Sequence, residues 1–297
     1  MMRIMFTQFK TIVCCITTIL LLGLTACGSS SGTAASSGGG GEGDFNAEYH
    51  DAKYHEDCAQ GNSKVQVDLS SVSEGYFGLL ANSSARLKLQ VFKGDEAFTY
   101  DVENGVPQIF PLQCSDGTYT IKVMENVSGN LYCELYSTSA SVSLVDPNAP
   151  FVRPSVYADY TEESVCVKEA AKMAANATDE EDFVDQVCQY ICKNVKYDYE
   201  EAETVSPGYV PDLDEVIATG KGSCFDYASL AASMLRSQGI PTKIIFGYVT
   251  PNNRYHAWNM ICTEESGWTR MDPSFSSNGV KADFIGDDSN YQDVYQY

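Results

Sequence analysis

The apolar residues of this chain change their spacing once, and that change limits what the chain can fold into. Between residues 64 and 144 apolar and polar residues alternate, which is the period of a strand with one buried face. From Thr161 onward apolar residues recur three and four positions apart, the period of an amphipathic helix. Three prolines lie between positions 146 and 154, where the spacing changes. We therefore predict an α+β chain in which an all-β part precedes a helical and mixed part.

The first part contains short alternating segments separated by turn residues such as Lys93-Gly94-Asp95 and Ser115-Asp116-Gly117. The predicted strands are 65–69, 76–80, 86–92, 98–102, 119–123 and 131–144. Short strands at this spacing are typical of an antiparallel sandwich. We predict a sandwich-like domain over residues 46–150 that acts as a spacer or a binding module. Nothing in its sequence indicates catalysis.

Two helix starts follow. Thr178, with Glu181 three residues later, predicts a capping box, and a buried stripe follows it. The stripe consists of Phe183, Val184, Val187, Ile191 and Val195. Ser223 is a second N-cap candidate, with Asp226 at the third helical position, and Gly239 and Pro241 supply a stop. We predict a helix from Cys224 to Gln238. We expect Arg236 on this helix to be solvated or ion-paired, and Asp226 to serve as a cap only.

The segments 243–249, 255–262 and 268–272 are strand-like and separated by turns, which predicts an antiparallel sheet after the helices. His256, Trp258 and Met260 share one face of the second of these strands. Trp268, Arg270 and Asp272 share one face of the third. If Cys262 pairs with Trp268 across the turn, Asp272 lies diagonal to His256 on the same side of the sheet.

Cys224, His256 and Asp272 together predict a nucleophilic site. A thiol in the first turn of a helix is acidified by the free backbone N–H groups and the helix dipole, and the same N–H groups can hold an oxyanion. His256 is the only histidine after position 55, so it is the available base and acid. Asp272 would fix its tautomer.

Five segments, taken in order, resemble the bacterial transglutaminase-like superfamily, which has a papain-like catalytic core. They are 220–228, 235–242, 246–248, 256–258 and 268–273. The resemblance covers residues 160–275 and implies a transglutaminase-like domain, which we bound at 155–280, followed by a tail over 281–297. It also implies a cell-surface thiol enzyme that forms a thioester on Cys224 at a peptide bond or a glutamine side chain. His256 would be the base and acid, and Asp272 the orienting carboxylate.

The resemblance also suggests supporting residues. The segment 209–214 is similar to the stretch that the family places ahead of its nucleophile, where a side chain helps to hold the oxyanion, so Tyr209 is a candidate. We expect Trp258 to pack over the imidazole and exclude water. Hydrolysis and acyl transfer share every step up to the acyl-enzyme and stay open.

Simpler interpretations exist for each residue. Cys224 could be a core thiol, His256 a packed histidine, and Asp272, which precedes Pro273, a turn residue. The alternative function is a non-catalytic surface module that retains the fold for binding.

The N-terminal sequence predicts export. Residues 1–26 combine basic residues with a short apolar run, as signal peptides do, and the sequence Leu24-Thr25-Ala26-Cys27 resembles a bacterial lipobox. Cys27 would carry the lipid, and residues 27–45 are a flexible tether rich in glycine and serine. Cleavage without lipidation is the alternative. We expect a chain anchored at the extracytoplasmic face of the bacterial membrane, with a peptide or protein of the cell envelope as its substrate.

Charge and cysteine content restrict other functions. The formal net charge is −21, which opposes binding to nucleic acid. Seven cysteines remain once the signal peptide, Cys27 and Cys224 are set aside, and an odd number cannot pair completely. The chain has no Cys-x-x-Cys motif, so we predict no zinc site and no cofactor.

Overall fold

A computed structural model of the chain describes residues 45–277 and 289–297. The predicted signal peptide, Cys27 and the tether up to residue 44 lie outside the described residues. The part described belongs to one compact unit. Within it, no helix is both long and apolar enough to cross a membrane. The α+β class is confirmed, with an all-β region at the N-terminal side and a mixed core after it.

Eight strands form two four-stranded antiparallel sheets in the β region. They are β1 (Gln60–Gly61), β2 (Val65–Asp68), β3 (Tyr76–Ala81), β4 (Leu87–Lys93), β5 (Glu96–Val102), β6 (Gln108–Pro111), β7 (Gly117–Ser128) and β8 (Leu131–Val142). One sheet has the order β1-β2-β3-β6 and the other β5-β4-β7-β8. Alternation places Leu87, Leu89 and Val91 of β4 in the core, as the period of two predicts.

The sequence analysis missed two of these strands. β1 has two residues, too few to show a period. β6 ends in Pro111, which cannot donate to a strand ladder, and β6 accordingly lies at the edge of its sheet. The buried cluster continues from the β region into the helical core, from Val65 to Tyr297. The domain boundaries that we assigned from sequence stay predictions.

The core contains six helices among the described residues. They are α1 (Val165–Ala174), α2 (Glu180–Asn194), α3 (Tyr199–Thr204), α4 (Leu213–Thr219), α5 (Cys224–Arg236) and α6 (Pro273–Ser277). The start of α2 differs by one residue from our prediction. Asp179, not Thr178, is the N-cap, because its Oδ1 accepts the Asp182 N–H at 2.8 Å. The Thr178 N–H is held by the Asp182 carboxylate at 2.9 Å instead.

Helix α5 begins as predicted, and its start fixes the position of Cys224. Oδ2 of Asp226 accepts the Ser223 N–H at 2.7 Å and the Ser223 hydroxyl at 2.6 Å. The positive end of the helix dipole also stabilises a carboxylate at this position. The helix ends at Arg236, two residues before the predicted Gln238, and Gly239 turns the chain at φ +91°. Nearly all of α5 is buried, so it is the central helix of the core.

Arg236 corrects one of our expectations. Its side chain is fully buried rather than solvated, and the part of the chain that the structure describes offers it no ion pair. The guanidinium donates instead to the main-chain oxygens of Thr242 at 2.7 Å, Tyr297 at 3.1 Å and Arg153 at 3.3 Å, and to Ser155 Oγ at 3.2 Å. Main-chain oxygens and one hydroxyl thus occupy the place of an aspartate or glutamate side chain.

An antiparallel sheet of order β13-β12-β11-β14 packs against α5. Its strands are β11 (Thr242–Val249), β12 (Arg254–Thr263), β13 (Gly267–Met271) and β14 (Tyr291–Gln296). The amide of Asn259 on β12 donates to the Ala228 carbonyl of α5 at 2.9 Å. Two short parallel strands, β9 (Lys196–Tyr197) and β10 (Lys221–Gly222), pair just before the nucleophile helix.

Strand β14 is the main difference from the predicted layout. We assigned residues 281–297 to a tail, yet Tyr291–Gln296 pairs with β11 and forms the edge of the core sheet. Five of the six residues are polar or aromatic and lack clear alternation, so burial does not mark them as a strand in the sequence. Pairing with a distant strand decides their conformation.

Candidate active site

Cys224 is the first residue of α5, and its side chain is partly buried. Strand β10 ends at Gly222 and leads straight into the helix through the cap at Ser223. A Cβ at Gly222 would lie 2.6 Å from the Asp226 Cβ, so glycine is required for the capping carboxylate to fit. The sequence therefore places the thiol at a helix N-terminus, where the dipole favours a thiolate.

His256 and Asp272 lie on neighbouring strands, as the predicted register requires. Cys262 pairs with Trp268 and Met260 with Arg270, which puts Asp272, just after β13, beside the His256 side of β12. His256 Nε2 donates to Asp272 Oδ2 at 2.9 Å, and both side chains are buried. The imidazole also forms a hydrogen bond with the Cys224 thiol. Because Nε2 is engaged with the carboxylate, Nδ1 is the nitrogen left to face the sulfur.

The three groups shift one another's pKa values. Burial alone would raise the pKa of the Cys224 thiol, but hydrogen bonds from His256, the Ala257 N–H and Tyr197, together with the imidazolium charge, lower it below its ordinary value. Burial would lower the pKa of His256, but its bonds to Asp272 and Cys224 raise that pKa to about 9. A thiolate and an imidazolium can therefore coexist at neutral pH.

Asp272 is held by more groups than the sequence indicated. Its Oδ1 accepts the Ser274 hydroxyl at 2.7 Å and the Ser274 N–H at 3.2 Å. Its Oδ2 accepts the Tyr291 hydroxyl at 3.0 Å as well as His256 Nε2. Burial would raise the pKa of this carboxyl, but the His256, Ser274 and Tyr291 bonds keep it lowered. Ser274 was within reach of sequence reasoning, because serine two residues after aspartate often bonds back to it.

Tyr197 is a site residue that the sequence analysis missed. Its hydroxyl bonds to the Cys224 thiol and accepts the Cys224 N–H. The parallel pairing of β9 with β10 matches Tyr197 with Gly222, two residues before the nucleophile. Arg254 lies over the Tyr197 ring at 5.9 Å. A two-residue strand carries no period, so the sequence offered no signal for this neighbour.

Of the two supporting residues that we predicted, Tyr209 lies elsewhere, whereas Trp258 stacks beside the imidazole as expected. Tyr209 does not bond to the thiol but donates its hydroxyl to Asp226 Oδ1 at 2.6 Å, and thereby supports the cap of α5. Trp258 is buried, with its ring 6.2 Å from that of His256. Phe275 lies closer to the imidazole, at 4.7 Å, so Phe275 is the nearer apolar cover.

Aromatic side chains continue outward from the thiol. The ring centroid of Phe225, the residue after Cys224, lies 4.9 Å from that of Phe246. The Phe246 ring in turn stacks on that of Tyr255, with 6.3 Å between the centroids. Tyr255 precedes His256 and is 51% exposed, and Tyr248 packs on it at 5.4 Å. These aromatic side chains form a partly exposed surface beside Cys224.

Among the residues that the structure describes, no three histidine, cysteine or acidic side chains are grouped as metal ligands. The eight cysteines in that part of the chain are free thiols. A cavity of about 730 Å³ lies between the β region and the core and is lined by residues 51–55, 101–103, 106–109, 154–156, 159–161, 208 and 210. Cys224, His256 and Asp272 are not among its lining residues.

Known proteins resemble parts of this chain. A curated protein-glutamine gamma-glutamyltransferase of Pseudomonas aeruginosa is 32% identical over 74 residues, which cover 21% of this chain and 11% of that protein. The chain thus spans about a tenth of the length of this relative. The periplasmic domain of TgpA from Pseudomonas aeruginosa aligns at 16% identity over 74% of this chain and 73% of its own, with a TM-score of 0.37. A candidate cysteine protease from Cytophaga hutchinsonii aligns at 14% identity over 75% and 91%, with a TM-score of 0.39.

A family model gives the assignment. The model of the transglutaminase-like superfamily matches residues 168–273. That span contains Tyr197, Cys224, His256 and Asp272, and it ends before Tyr291. The resemblance predicted from the motifs is thereby confirmed, and residues 168–273 of this chain belong to the transglutaminase-like superfamily.

Proposed function

We propose that Cys224, His256 and Asp272 form a catalytic triad for thiol-dependent cleavage or transfer at an amide carbonyl. The buried imidazole supports this best, because it bonds to the thiol at a helix N-terminus and, through Nε2, to the carboxylate at 2.9 Å. The substrate would be a peptide bond or a glutamine side chain. A packed core histidine would not require a carboxylate on one side and a thiol on the other.

The reaction would proceed in two balanced steps. The Cys224 thiolate attacks the carbonyl carbon, the carbonyl oxygen takes the negative charge, and the C–N bond breaks as the His256 imidazolium gives its proton to the leaving amine. A thioester remains on Cys224. Neutral His256 then takes a proton from water or from a second amine, which attacks the thioester carbon. The C–S bond breaks, the acyl group leaves on the new acceptor, and the Cys224 thiolate and the His256 imidazolium are restored.

Two groups beside the sulfur would hold the developing oxyanion. In the structure the Cys224 N–H donates to the Tyr197 hydroxyl, which also bonds to the thiol, so both groups would exchange these bonds for bonds to the carbonyl oxygen of a bound substrate. A donor to the oxyanion is worth about 10²- to 10³-fold in rate in other hydrolases. Tyr197 would then have the role for which the sequence suggested Tyr209, while Tyr209 supports the helix cap.

Location and substrate complete the hypothesis. The lipobox at Cys27 and the signal sequence before it support an enzyme tethered to the extracytoplasmic face of the membrane. Peptides or proteins of the cell envelope would then be the accessible substrates. Water is always available as an acceptor, so hydrolysis is the simpler outcome, and amine transfer differs only in the second nucleophile.

The rate of iodoacetamide alkylation at Cys224, followed by peptide mass spectrometry from pH 4 to pH 9, tests the ion pair. We expect fast reaction well below the pKa of about 8.5 of an ordinary thiol. Because the pKa of His256 is raised to about 9, the imidazolium persists up to about that pH and is lost above it. The exposed thiols of Cys58 and Cys133 are internal controls, alkylated in the same samples and away from the imidazole.

His256→Ala should abolish the reactivity of Cys224 at acidic pH and leave Cys58 and Cys133 unchanged. If Cys224 is inert, or titrates like the two control thiols in both proteins, the triad is not functional. The chain would then be the non-catalytic binding module that the sequence left as the alternative.

A further inference from the structure

The carboxylate of Asp272 has two partners outside the family match, Ser274 just past its end and Tyr291 much farther along the chain. Oδ1 accepts the Ser274 hydroxyl at 2.7 Å, whereas Oδ2 is shared by His256 Nε2 at 2.9 Å and the Tyr291 hydroxyl at 3.0 Å. Tyr291 opens strand β14, which follows the matched residues 168–273. A residue near the end of the chain therefore bonds to the same oxygen atom as the histidine.

We propose that Tyr291 is a positioning residue, which orients the Asp272 carboxylate and limits the charge that its Oδ2 presents to His256. Strand β14 then completes the active site rather than merely ending the sheet. This role rests on the proposed thiol chemistry for its effect on catalysis. It rests on the hydrogen bonds alone for its effect on His256.

Contacts that involve the ring of Tyr291, and not its hydroxyl, hold this side chain in place. The Arg270 guanidinium lies over it at 3.9 Å, and the Trp258 ring meets it edge-on at 4.9 Å. Its backbone pairs with Val249 of β11. Removing the hydroxyl therefore leaves the ring in place, so that Tyr291→Phe separates the hydrogen bonds of the hydroxyl from the packing of the ring. The hydroxyl bonds to Arg270 as well as to Asp272, and an Asp272→Asn background distinguishes the two.

The direction of the effect follows from the shared oxygen. The Tyr291 hydroxyl stabilises negative charge on Oδ2, and that charge also holds the proton on His256. Without this competing donor, the carboxylate attracts the imidazole proton more strongly, so the pKa of His256 should rise further. Other charged or titratable groups that face Asp272 or His256 are Cys188 and Cys192 of α2, Cys224 and Arg270.

NMR titration of the histidine side chains measures this directly in the whole protein. The chain has three histidines, His50, His55 and His256, and His256→Ala assigns the third. We expect Tyr291→Phe to raise the pKa of His256 by about half a unit, the size expected for a neutral hydrogen bond to a shared charge. Tyr295→Phe, an exposed position on the same strand, is the matched control and should leave the pKa of His256 unchanged.

A double-mutant cycle with Asp272→Asn separates the hydrogen bond from a general disturbance. In the Asp272→Asn background the shared charge is gone, so adding Tyr291→Phe should cause no further shift of the His256 pKa. The role of Tyr291 is refuted if Tyr291→Phe leaves the His256 pKa unchanged. It is also refuted if the shift is as large in the Asp272→Asn background as in the protein that retains Asp272.

The two hypotheses fail in different ways. If Cys224 is unreactive in the wild type but Tyr291→Phe still moves the His256 titration, the positioning contact stands and the thiol chemistry falls. If Cys224 is reactive and depends on His256, yet Tyr291→Phe changes nothing, the thiol chemistry stands and Tyr291 only packs.

Discussion

Replacing Arg236 by methionine should destabilise the whole core, although Arg236 lies at the end of α5 away from the thiol. The guanidinium is fully buried and joins three separate parts of the chain. It bonds to Arg153 and Ser155 in the segment after the β region, to Thr242 at the start of β11, and to Tyr297 after β14. The change Arg236→Met keeps much of the side-chain volume and removes all four bonds.

The expected loss in the free energy of unfolding follows from the four hydrogen bonds of the Arg236 guanidinium. The bonds to Thr242 at 2.7 Å and Tyr297 at 3.1 Å have normal lengths, and the two bonds from Nη1 are longer, at 3.2 and 3.3 Å. Each acceptor left unpaired inside the protein costs about 1 to 3 kcal/mol. Methionine recovers part of this loss because it has no charge to desolvate. We expect a net loss of about 2 to 4 kcal/mol in the free energy of unfolding.

Urea unfolding followed by tryptophan fluorescence measures the loss, because both tryptophans, Trp258 and Trp268, lie in the core sheet. Arg236→Lys should fall between the wild type and Arg236→Met, since one ammonium cannot reach all four acceptors. Lys172→Met on the exposed surface of α1 is the control and should change the free energy by less than about 0.5 kcal/mol. A loss below about 1 kcal/mol for Arg236→Met would show that the buried hydrogen bonds do not stabilise the core.

Two further predictions concern the groups around the thiol and the edge strand. Tyr197→Phe should raise the pKa of Cys224, because the thiolate loses a hydrogen-bond donor, and should shift the acid limit of its alkylation upward. Tyr132→Phe in the β region should leave that limit unchanged, and an equal shift in both variants would contradict a specific contact. Gly247→Ala should detach β14 from β11, since the new Cβ would overlap the Gln292 carbonyl oxygen and lie 2.7 Å from the Trp258 ring. Faster hydrogen exchange of the β14 amides would show this, and unchanged protection would mean that the backbone yields without cost.

The position of Cys224 at a helix start and the pairing of His256 with Asp272 could be predicted because each depended on residues close together in the sequence. Ser223 and Asp226 cap the helix that begins at Cys224, so the thiol had to lie at its N-terminus. A tight turn joins β12 to β13, so one pairing set the register that brings Asp272 beside His256. Caps and short hairpins are local, and local chemistry is readable from residue type and spacing.

The remaining contacts were settled only by the tertiary structure. Tyr197 reaches the thiol through a two-residue strand pair, and Tyr291 reaches Asp272 from a strand with no hydrophobic period. We expected Arg236 to be solvated or ion-paired, but in the structure main-chain oxygens from distant segments surround it. A hydrophobic period reports which face of an element is buried, but not which distant segment buries it. That choice is made by packing between elements, and here it determines which groups surround the thiol, the imidazole and the carboxylate.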